Sequence, residues 1–472
     1  MDSRISARAL AEALGGWRGP GPAYEALADG IRLLCLDNRV APRTALPAER
    51  ELAVALGLSR TTVAATYRSL RESGHIESLR GSGSVTLPLR RTDPGVEDRR
   101  DGVIDLQQAS PAAWPGLPAV LTEVAQDAAA LVARTGYDVV GEPRLRAAIA
   151  QHYSDRGLPT TAEQILVTTG AQSALHLIAS VLLSRADRVL IETPTYPHGA
   201  DAFRAVGARL VGVPVTPDAG WDLDRAAQTF ARVLPALAYL MPDFQNPTGR
   251  TMSAAEVAAF VDGAQRAGTY LVLDETTAGL DIDRETAGTS FPDLDRIIRV
   301  GSLGKTVWGG LRVGWVRAQA DIVRRLASGR PVHDLGTPEF EQAVAARLMG
   351  RLDEISAQRA DLLRTGRDAL TRALTASFPE WEIPTAHGGV SLWVGIGEPV
   401  STPLVMNARA RGLLLSAGSR FAVDGGHDRR LRIPFTAAPH TLERAVDVLR
   451  AAWDDVRGTP AGAALDDLTA VV

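Results

Sequence analysis

The sequence predicts two folded parts of different class. Residues 20–87 read as a small α+β unit of helices closed by a hairpin, and residues 103–472 as a larger α/β domain with a mainly parallel central sheet and a smaller α+β C-terminal lobe. Three observations predict this. Helical apolar spacing runs from Tyr24 and gives way to two short strands near Thr86. From residue 103 to 330, apolar runs of strand length alternate with helical stretches, the pattern of a parallel sheet covered by helices. Between them, residues 88–102 are charged and glycine- or proline-bearing with almost no apolar side chain, so they read as an exposed linker.

In the first unit, Tyr24, Leu27, Ala28, Ile31 and Leu34 recur on one helical face. A second helix lies near Leu46–Ala53, with Pro47 suited to its first turn, Leu52 and Leu56 facing inward and Gly57 ending it. Ser59 caps a third helix whose inner stripe is Val63, Tyr67 and Leu70, and Ser73-Gly74 stops it. His75–Leu79 and Ser84–Leu87 then read as strands about the turn Arg80-Gly81-Ser82-Gly83. Helix, helix, tight turn, helix and hairpin in that order make a winged helix-turn-helix.

In the larger domain the strand-length runs are Ile165–Thr169, Arg188–Glu192, Arg209–Val213, Ala236–Met241, Tyr270–Asp274, Ile297–Gly301 and Leu311–Val316. After Pro331 one long helical stretch reaches Leu374, and short strands follow at Gly389–Val394, Leu413–Leu415 and Arg430–Phe435. This change divides a large domain, 103–330, from a small lobe, 331–472.

Composition narrows the function classes. The chain has 472 residues, 45% hydrophobic and 22% charged, with a formal net charge of −4, which excludes a disordered chain. No apolar run reaches the roughly 18 residues of a membrane span. The N-terminus carries Asp2, Arg4, Arg8 and Glu12, unlike a signal peptide, so a cytoplasmic protein is expected. One cysteine, Cys35, excludes an internal disulfide framework and a cysteine-rich zinc site, and no metal is expected. Of 51 basic residues, one is lysine, Lys305. Lysine-dependent chemistry can therefore run at one place only.

Ser59-Arg60-Thr61-Thr62 opens the third helix, where hydroxyls and an arginine suit phosphates and base edges. Arg50 precedes it, and Arg80 and Gly81 stand at the wing. From Val40 to Thr86 there are six arginines against four glutamates, an excess too small to identify a nucleic-acid binder by charge. The motifs say more. Leu46-Pro47-Ala48-Glu49-Arg50-Glu51-Leu52-Ala53, Ser59-Arg60-Thr61-Thr62-Val63, Gly74-x-Ile76 and Gly81-Ser82-Gly83 resemble the winged helix of the GntR family of bacterial transcription factors. The resemblance implies double-stranded operator DNA as partner, contacted by Arg50, Ser59, Arg60, Thr61, Arg80 and Gly81. Ala64 stands where some relatives place another DNA-contacting arginine.

Lys305 follows an apolar strand, in Gly301-Ser302-Leu303-Gly304-Lys305-Thr306, with Arg312 seven residues on. A Schiff-base lysine needs a site that lowers its pKa, and Ser302 and Arg312 suit a phosphate on the same ligand. That combination points to pyridoxal 5′-phosphate (PLP). The rest of the chain supplies what PLP needs. Thr169-Gly170-Ala171-Gln172 opens a helix after a strand, an anion cradle. Asp274 ends a strand, where a carboxylate can meet the pyridinium nitrogen. Tyr196 offers a stacking ring, and Asn246, in Gln245-Asn246-Pro247-Thr248-Gly249, a donor to the phenolic O3′. Singly, each also reads as a cap, a core residue or a turn.

Together, in this order around Lys305, these motifs resemble a fold-type I PLP-dependent aminotransferase over about 105–455. The resemblance makes Lys305 the Schiff-base lysine, Asp274 the pyridinium partner, Asn246 the O3′ partner and Tyr196 the stacking ring. It places Ala171, Gln172, Ser302 and Arg312 on the cofactor phosphate. It has Tyr137 reach the neighbouring subunit's cofactor in a homodimer, and Arg432 bind an effector or substrate carboxylate. A GntR-type head fused to such a domain is the layout of MocR-type regulators. Thr276 and Thr277 stand where relatives carry a tyrosine on O3′, Phe244 where regulators of this type often have histidine, and Gly304 in place of a common serine.

The expectation is a PLP-dependent transcriptional regulator that senses PLP or an amino compound through a Schiff base on Lys305, its aminotransferase-like domain serving sensing and not turnover, with a residual half-transamination left open. The alternative is an aminotransferase with a fused DNA-binding head. A regulator that no longer binds PLP is disfavoured by the intact Lys305, Asp274, Asn246 and Arg312.

Overall fold

A computed structural model of the chain describes residues 4–14, 17, 22–36, 39–41, 43–79, 83–87, 102–284 and 291–458. The head holds helices Ala7–Leu14, Ala23–Leu36, Glu49–Leu56 and Arg60–Glu72, then strands β1 (Ile76–Leu79) and β2 (Gly83–Thr86). The two strands pair antiparallel, Ile76 opposite Thr86 and Leu79 opposite Gly83. Leu27, Ala28, Ile31, Leu52, Val63, Tyr67 and Leu70 form its core. Tyr24, expected on that face, instead lies 36% exposed, its hydroxyl on the Glu25 carboxylate at 2.7 Å. Pro47 precedes its helix instead of opening it, and its carbonyl accepts the Tyr67 hydroxyl at 2.8 Å. Arg80 and Gly81, and residues 88–101 of the expected linker, lie outside the described residues.

The larger domain carries strands β3 (Ile104–Asp105), β4 (Ile165–Thr168), β5 (Arg188–Thr193), β6 (Arg209–Thr216), β7 (Gly220–Trp221), β8 (Leu237–Leu240), β9 (Tyr270–Asp274), β10 (Ile297–Ser302) and β11 (Gly314–Arg317). Eight of them form one sheet, ordered β4-β11-β10-β9-β8-β5-β6-β7. The joins from β10 through β9, β8 and β5 to β6 are parallel, and β11 and β7 pair antiparallel. Helices cover both faces. Ile178, Phe203 and Leu326 pack on one, and Phe230 and Phe260 on the other. Burial on two sides explains why these strands read as continuous apolar runs.

The strand expected from Leu311 begins only at Gly314. Gly309–Leu311 form a short 3-10 turn, and Arg312 takes a left-handed φ of 52°. The turn keeps Arg312 out of the ladder and brings its guanidinium to Thr169 O at 3.1 Å. The helical stretch after Pro331 is two helices, Glu339–Met349 and Leu352–Ser377, parted at Gly350-Arg351.

The C-terminal lobe adds β12 (Ser391–Gly395), β13 (Leu413–Leu414), β14 (Ser416–Ala417) and β15 (Arg430–Pro434), with helices Ser401–Ala410 and Pro439–Gly458. Strands β12, β15 and β14 form an antiparallel sheet, and β13 pairs with β3. Leu392, Val394, Leu431 and Ile433 pack there on Leu370, Leu374 and Trp453. The head rests on this lobe. Helix Ala23–Leu36 packs on helix Ser401–Ala410, Leu33 joins the lobe's core, and Arg39 Nη1 donates to Ser419 O at 3.2 Å.

Among the described residues no helix is long and apolar enough to cross a membrane, and no group of three or more His, Cys, Asp or Glu is arranged to hold a metal.

Candidate cofactor site and DNA-facing head

A cavity of about 640 Å³ opens at the carboxyl ends of the parallel strands, where ligands bind in sheets of this kind. Ala171 and Gln172 reach it from the turn after β4, Tyr196 from the turn after β5, and Asn246 from the turn after β8. Asp274 ends β9, Ser302 ends β10, Lys305 and Arg312 follow, and Arg432 comes from β15 of the lobe. Nine of the ten residues expected around a cofactor or its carboxylate ligand thus line one cavity. The tenth, Tyr137, lies outside it and is 72% exposed.

Lys305 is part-buried, and its Nζ donates to Ala109 O at 2.6 Å. Burial, with the Arg432 charge assisting, lowers its pKa to about 8, while Asp274 pulls the other way. Its loop is clamped from behind. Arg359, on helix Leu352–Ser377, donates to Thr306 O at 2.9 Å and Val307 O at 3.0 Å.

Asp274 is 2% exposed. Its Oδ1 accepts from the Thr276 backbone N–H at 3.0 Å and hydroxyl at 2.6 Å, and its Oδ2 from Tyr239 Oη at 2.7 Å. Burial raises its pKa, and these donors oppose the rise. Gly199 makes room for the phenol, since a Cβ there would stand 3.1 Å from the Tyr239 hydroxyl. Thr277 turns elsewhere, its hydroxyl donating to Asp243 O at 2.8 Å.

Helix Ala171–Leu182 starts at Gly170 without a side-chain cap, so its first N–H groups face the cavity end free to meet an anion. Gly170 has φ +85°, and a Cβ there would lie 2.6 Å from Arg312 Nη2. No other residue allows both that backbone and that approach. Ser302 Oγ donates to Val313 O at 3.0 Å and accepts from Gly304 N–H at 3.0 Å.

Arg432 is 6% exposed, donates to Gln107 O, and stacks over Phe421 at 5.0 Å. Burial lowers its pKa to about 10. Three buried atoms around the cavity have no protein partner: Asn246 Oδ1, Gln172 Oε1 and Arg432 Nε. Buried polar atoms are rarely left so, and a polar ligand would satisfy them. With the uncapped helix, a lowered lysine and a buried carboxylate, the residues present fit PLP.

In the head, Arg50, Ser59, Arg60 and Thr61 are exposed. Ser59 Oγ accepts from Thr62 N–H at 3.0 Å, a helix cap as expected, and lies 2.7 Å from Thr61 Oγ1. Arg60 Nε faces Glu49 Oε2 at 3.7 Å.

The sequence profile of class I and II aminotransferases matches residues 110–449. The chain belongs to that family. The profile of bacterial regulatory proteins of the gntR family matches residues 23–85, so this family member has the MocR-type layout, with a DNA-binding head before an aminotransferase-like domain whose cofactor is PLP. The uncharacterized HTH-type transcriptional regulator YdfD of Bacillus subtilis is 26% identical over 432 residues, covering 83% of this chain and 88% of the relative. The probable rhizopine catabolism regulatory protein MocR of Rhizobium meliloti is 30% identical over 329 residues, covering 62% of this chain and 65% of that protein. The solved structure of LysN, the alpha-aminoadipate aminotransferase of Thermus thermophilus complexed with N-(5′-phosphopyridoxyl)-L-leucine, superposes with TM-score 0.67 at 25% identity, over 78% of this chain and 96% of that one.

Several residues at the site escape sequence reasoning. Tyr239 lies inside β8, buried on both faces, where alternation does not show which side chain meets the site. Residues 107–111 sit in an irregular segment and Arg420 in the short 3-10 turn Gly418–Phe421, too short to show a periodicity.

Proposed function

We propose that this chain is a transcriptional regulator that binds double-stranded operator DNA through its winged helix and senses PLP or an amino compound at Lys305. The convergence of Lys305, Asp274, Asn246 and Arg312 on one cavity, in a chain headed by a GntR-type domain, carries this reading.

When bound, PLP supplies an aldehyde for an amine and an electron-withdrawing ring. The protein's part follows from its own atoms. Lys305, lowered to about 8, keeps a useful share of its amine unprotonated near neutral pH and can act as nucleophile. Asp274, held by three donors, is poised to pair with a protonated pyridine nitrogen, which offsets the cost of its burial. The N–H groups at Ala171 and Gln172, with Arg312 and Ser302, would hold the cofactor's phosphate. Tyr196 would hold the ring and Asn246 its phenolic oxygen, and Arg432 would bind a ligand carboxylate. Tyr137, exposed in the single chain, completes the partner's site in a homodimer, which also matches paired half-sites on DNA. Arg50, Ser59, Arg60, Thr61, Arg80 and Gly81 contact the DNA, and a DNA-binding head sets the protein's work in the cytoplasm.

Sensing is favoured over turnover because Thr276 and Thr277 spend their hydroxyls on Asp274 and Asp243, and no phenol stands at those positions. The experiment is DNA binding to the chain's own upstream region at physiological salt, with and without PLP. A sequence-selective shift that PLP alters supports the regulator, and its absence overturns it. The second reading, an aminotransferase with a fused head, draws on the complete lysine, aspartate and arginine set. Steady-state turnover with an amino acid and a keto acid would favour it.

A further inference from the structure

Glu192 is a fully buried carboxyl near the end of β5 that the chemistry proposed for the site leaves unused. Its three partners are all neutral donors. Oε1 accepts from Trp221 Nε1 at 2.9 Å and from the Met241 backbone N–H at 3.1 Å, and Oε2 accepts from Gln245 Nε2 at 3.1 Å. Burial pushes the carboxyl up to about 8, and these donors pull against it. A proton on either oxygen would face a donor, so the position calls for a group that only accepts.

Gln245, 1% exposed, is specified as closely. Its Nε2 also donates to Pro194 O at 2.8 Å, and its Oε1 accepts from the Thr248 backbone N–H at 3.0 Å and hydroxyl at 2.7 Å. All four hydrogen-bonding places of the amide are filled. Turned over, the amide would set its NH2 against the Thr248 N–H and its oxygen against Pro194 O.

The pair joins two turns of the cavity wall. Pro194 stands two residues before Tyr196, in the turn after β5. Gln245 stands beside Asn246 in the turn after β8, and Met241, which Glu192 also holds, begins that turn. Tyr196, Asn246 and Met241 line the cavity, while Glu192 and Gln245 lie behind it.

We propose that Glu192 and Gln245 are a positioning pair that fixes Tyr196 and Asn246 relative to each other, so that the site meets the cofactor ring already ordered. This rests on the places proposed above for Tyr196 on the ring and Asn246 on its phenolic oxygen.

The full-length chain is titrated with PLP. Visible absorbance gives the dissociation constant, induced circular dichroism reports the fixed orientation of the bound ring, and a thermal melt is run beside them. Glu192→Gln keeps the shape but turns an NH2 toward a donor. Its PLP dissociation constant should rise at least about tenfold, because the cofactor must then order a turn that the wild type holds ready, and the induced dichroism should weaken. Gln245→Glu should do the same by setting acceptors face to face. In Glu192→Gln/Gln245→Glu the new amide donates to the new carboxylate, with only the bond to Pro194 O lost. The double variant should bind PLP more tightly than either single, a coupling that marks groups in contact. Thr248→Val removes one donor to Gln245, a milder change that should shift both cofactor readings the same way even if Glu192→Gln does not fold. Three results would each overturn the pair: a lower melt in Glu192→Gln with wild-type affinity and dichroism, a double variant no better than the sum of its singles, or wild-type cofactor readings in Thr248→Val. A wild-type chain that binds no PLP overturns the parent reading and this one with it.

Discussion

Tyr239 donates its phenolic proton to Oδ2 of Asp274 across 2.7 Å, with both residues shielded from water. The phenol comes from the strand next to the one that carries the carboxylate, so it positions Asp274 without filling the cavity itself.

Tyr239→Phe keeps the ring and loses that bond. A hydrogen bond to a buried charge contributes about 1.5–3 kcal/mol, and since this one forms without the cofactor its loss should appear in the thermal melt of the apo-protein. The sign on pH follows. Burial already raises the Asp274 pKa, and Tyr239 opposes the rise, so the variant's pKa goes higher. On the pairing proposed for Asp274, cofactor binding needs the carboxylate and is lost as pH falls through the folded pKa. The variant should lose PLP at a higher pH than the wild type, read by absorbance during acid titration.

Lys305 should set the pH dependence of cofactor capture. With a pKa of about 8, the neutral amine grows about tenfold per pH unit up to that point and then levels. The PLP association rate, followed by stopped-flow absorbance, should follow the same curve. A rate still rising steeply past pH 9 would contradict it. The linkage has the matching sign. Between about pH 8 and the ordinary lysine value the unfolded chain holds a proton that the folded chain has shed, so the apo-protein gains stability as pH rises there, and Lys305→Ala loses that gain.

Gly170→Ala forces a left-handed φ on a residue with a Cβ and drives that carbon into Arg312. A strain of about 1–3 kcal/mol is expected. PLP affinity should drop more than thermal stability does, because the shifted atoms belong to the anion cradle. Equilibrium dialysis against PLP, beside a thermal melt, separates the two.

Two substitutions at Ser59 distinguish capping from DNA contact. Ser59→Ala removes the bond to Thr62 N–H and should cost the head about 1 kcal/mol. Ser59→Asp keeps a cap but sets a negative charge at the helix N-terminus, where a phosphate would lie. Its melt should match the wild type while its affinity for the upstream DNA falls at least tenfold by fluorescence anisotropy.

What could be read from the sequence divides along physical lines. Strands β4, β5, β8, β9 and β10 are apolar because both faces are covered, so they stood out as runs, and Asp274 and Lys305 were legible as polar residues at their ends. The Ser59 cap and the Val63, Tyr67, Leu70 stripe followed from helix chemistry. Arg312 misled the strand limits because Leu311 and Val313 are apolar, while its left-handed backbone leaves no mark on composition. Tyr239 meets Asp274, and Arg420 meets Asp201, between segments far apart in the chain, which no local pattern records.

The bond from Arg39 to Ser419 O joins the head to the turn whose next two residues, Arg420 and Phe421, line the ligand cavity. A displacement of the head that broke this bond would be felt at the cavity wall. Free energy exchanged across it runs both ways: whatever factor a ligand imposes on affinity for DNA, the operator must impose on affinity for that ligand. On the function proposed above, operator DNA would then act as an effector of the cofactor cavity.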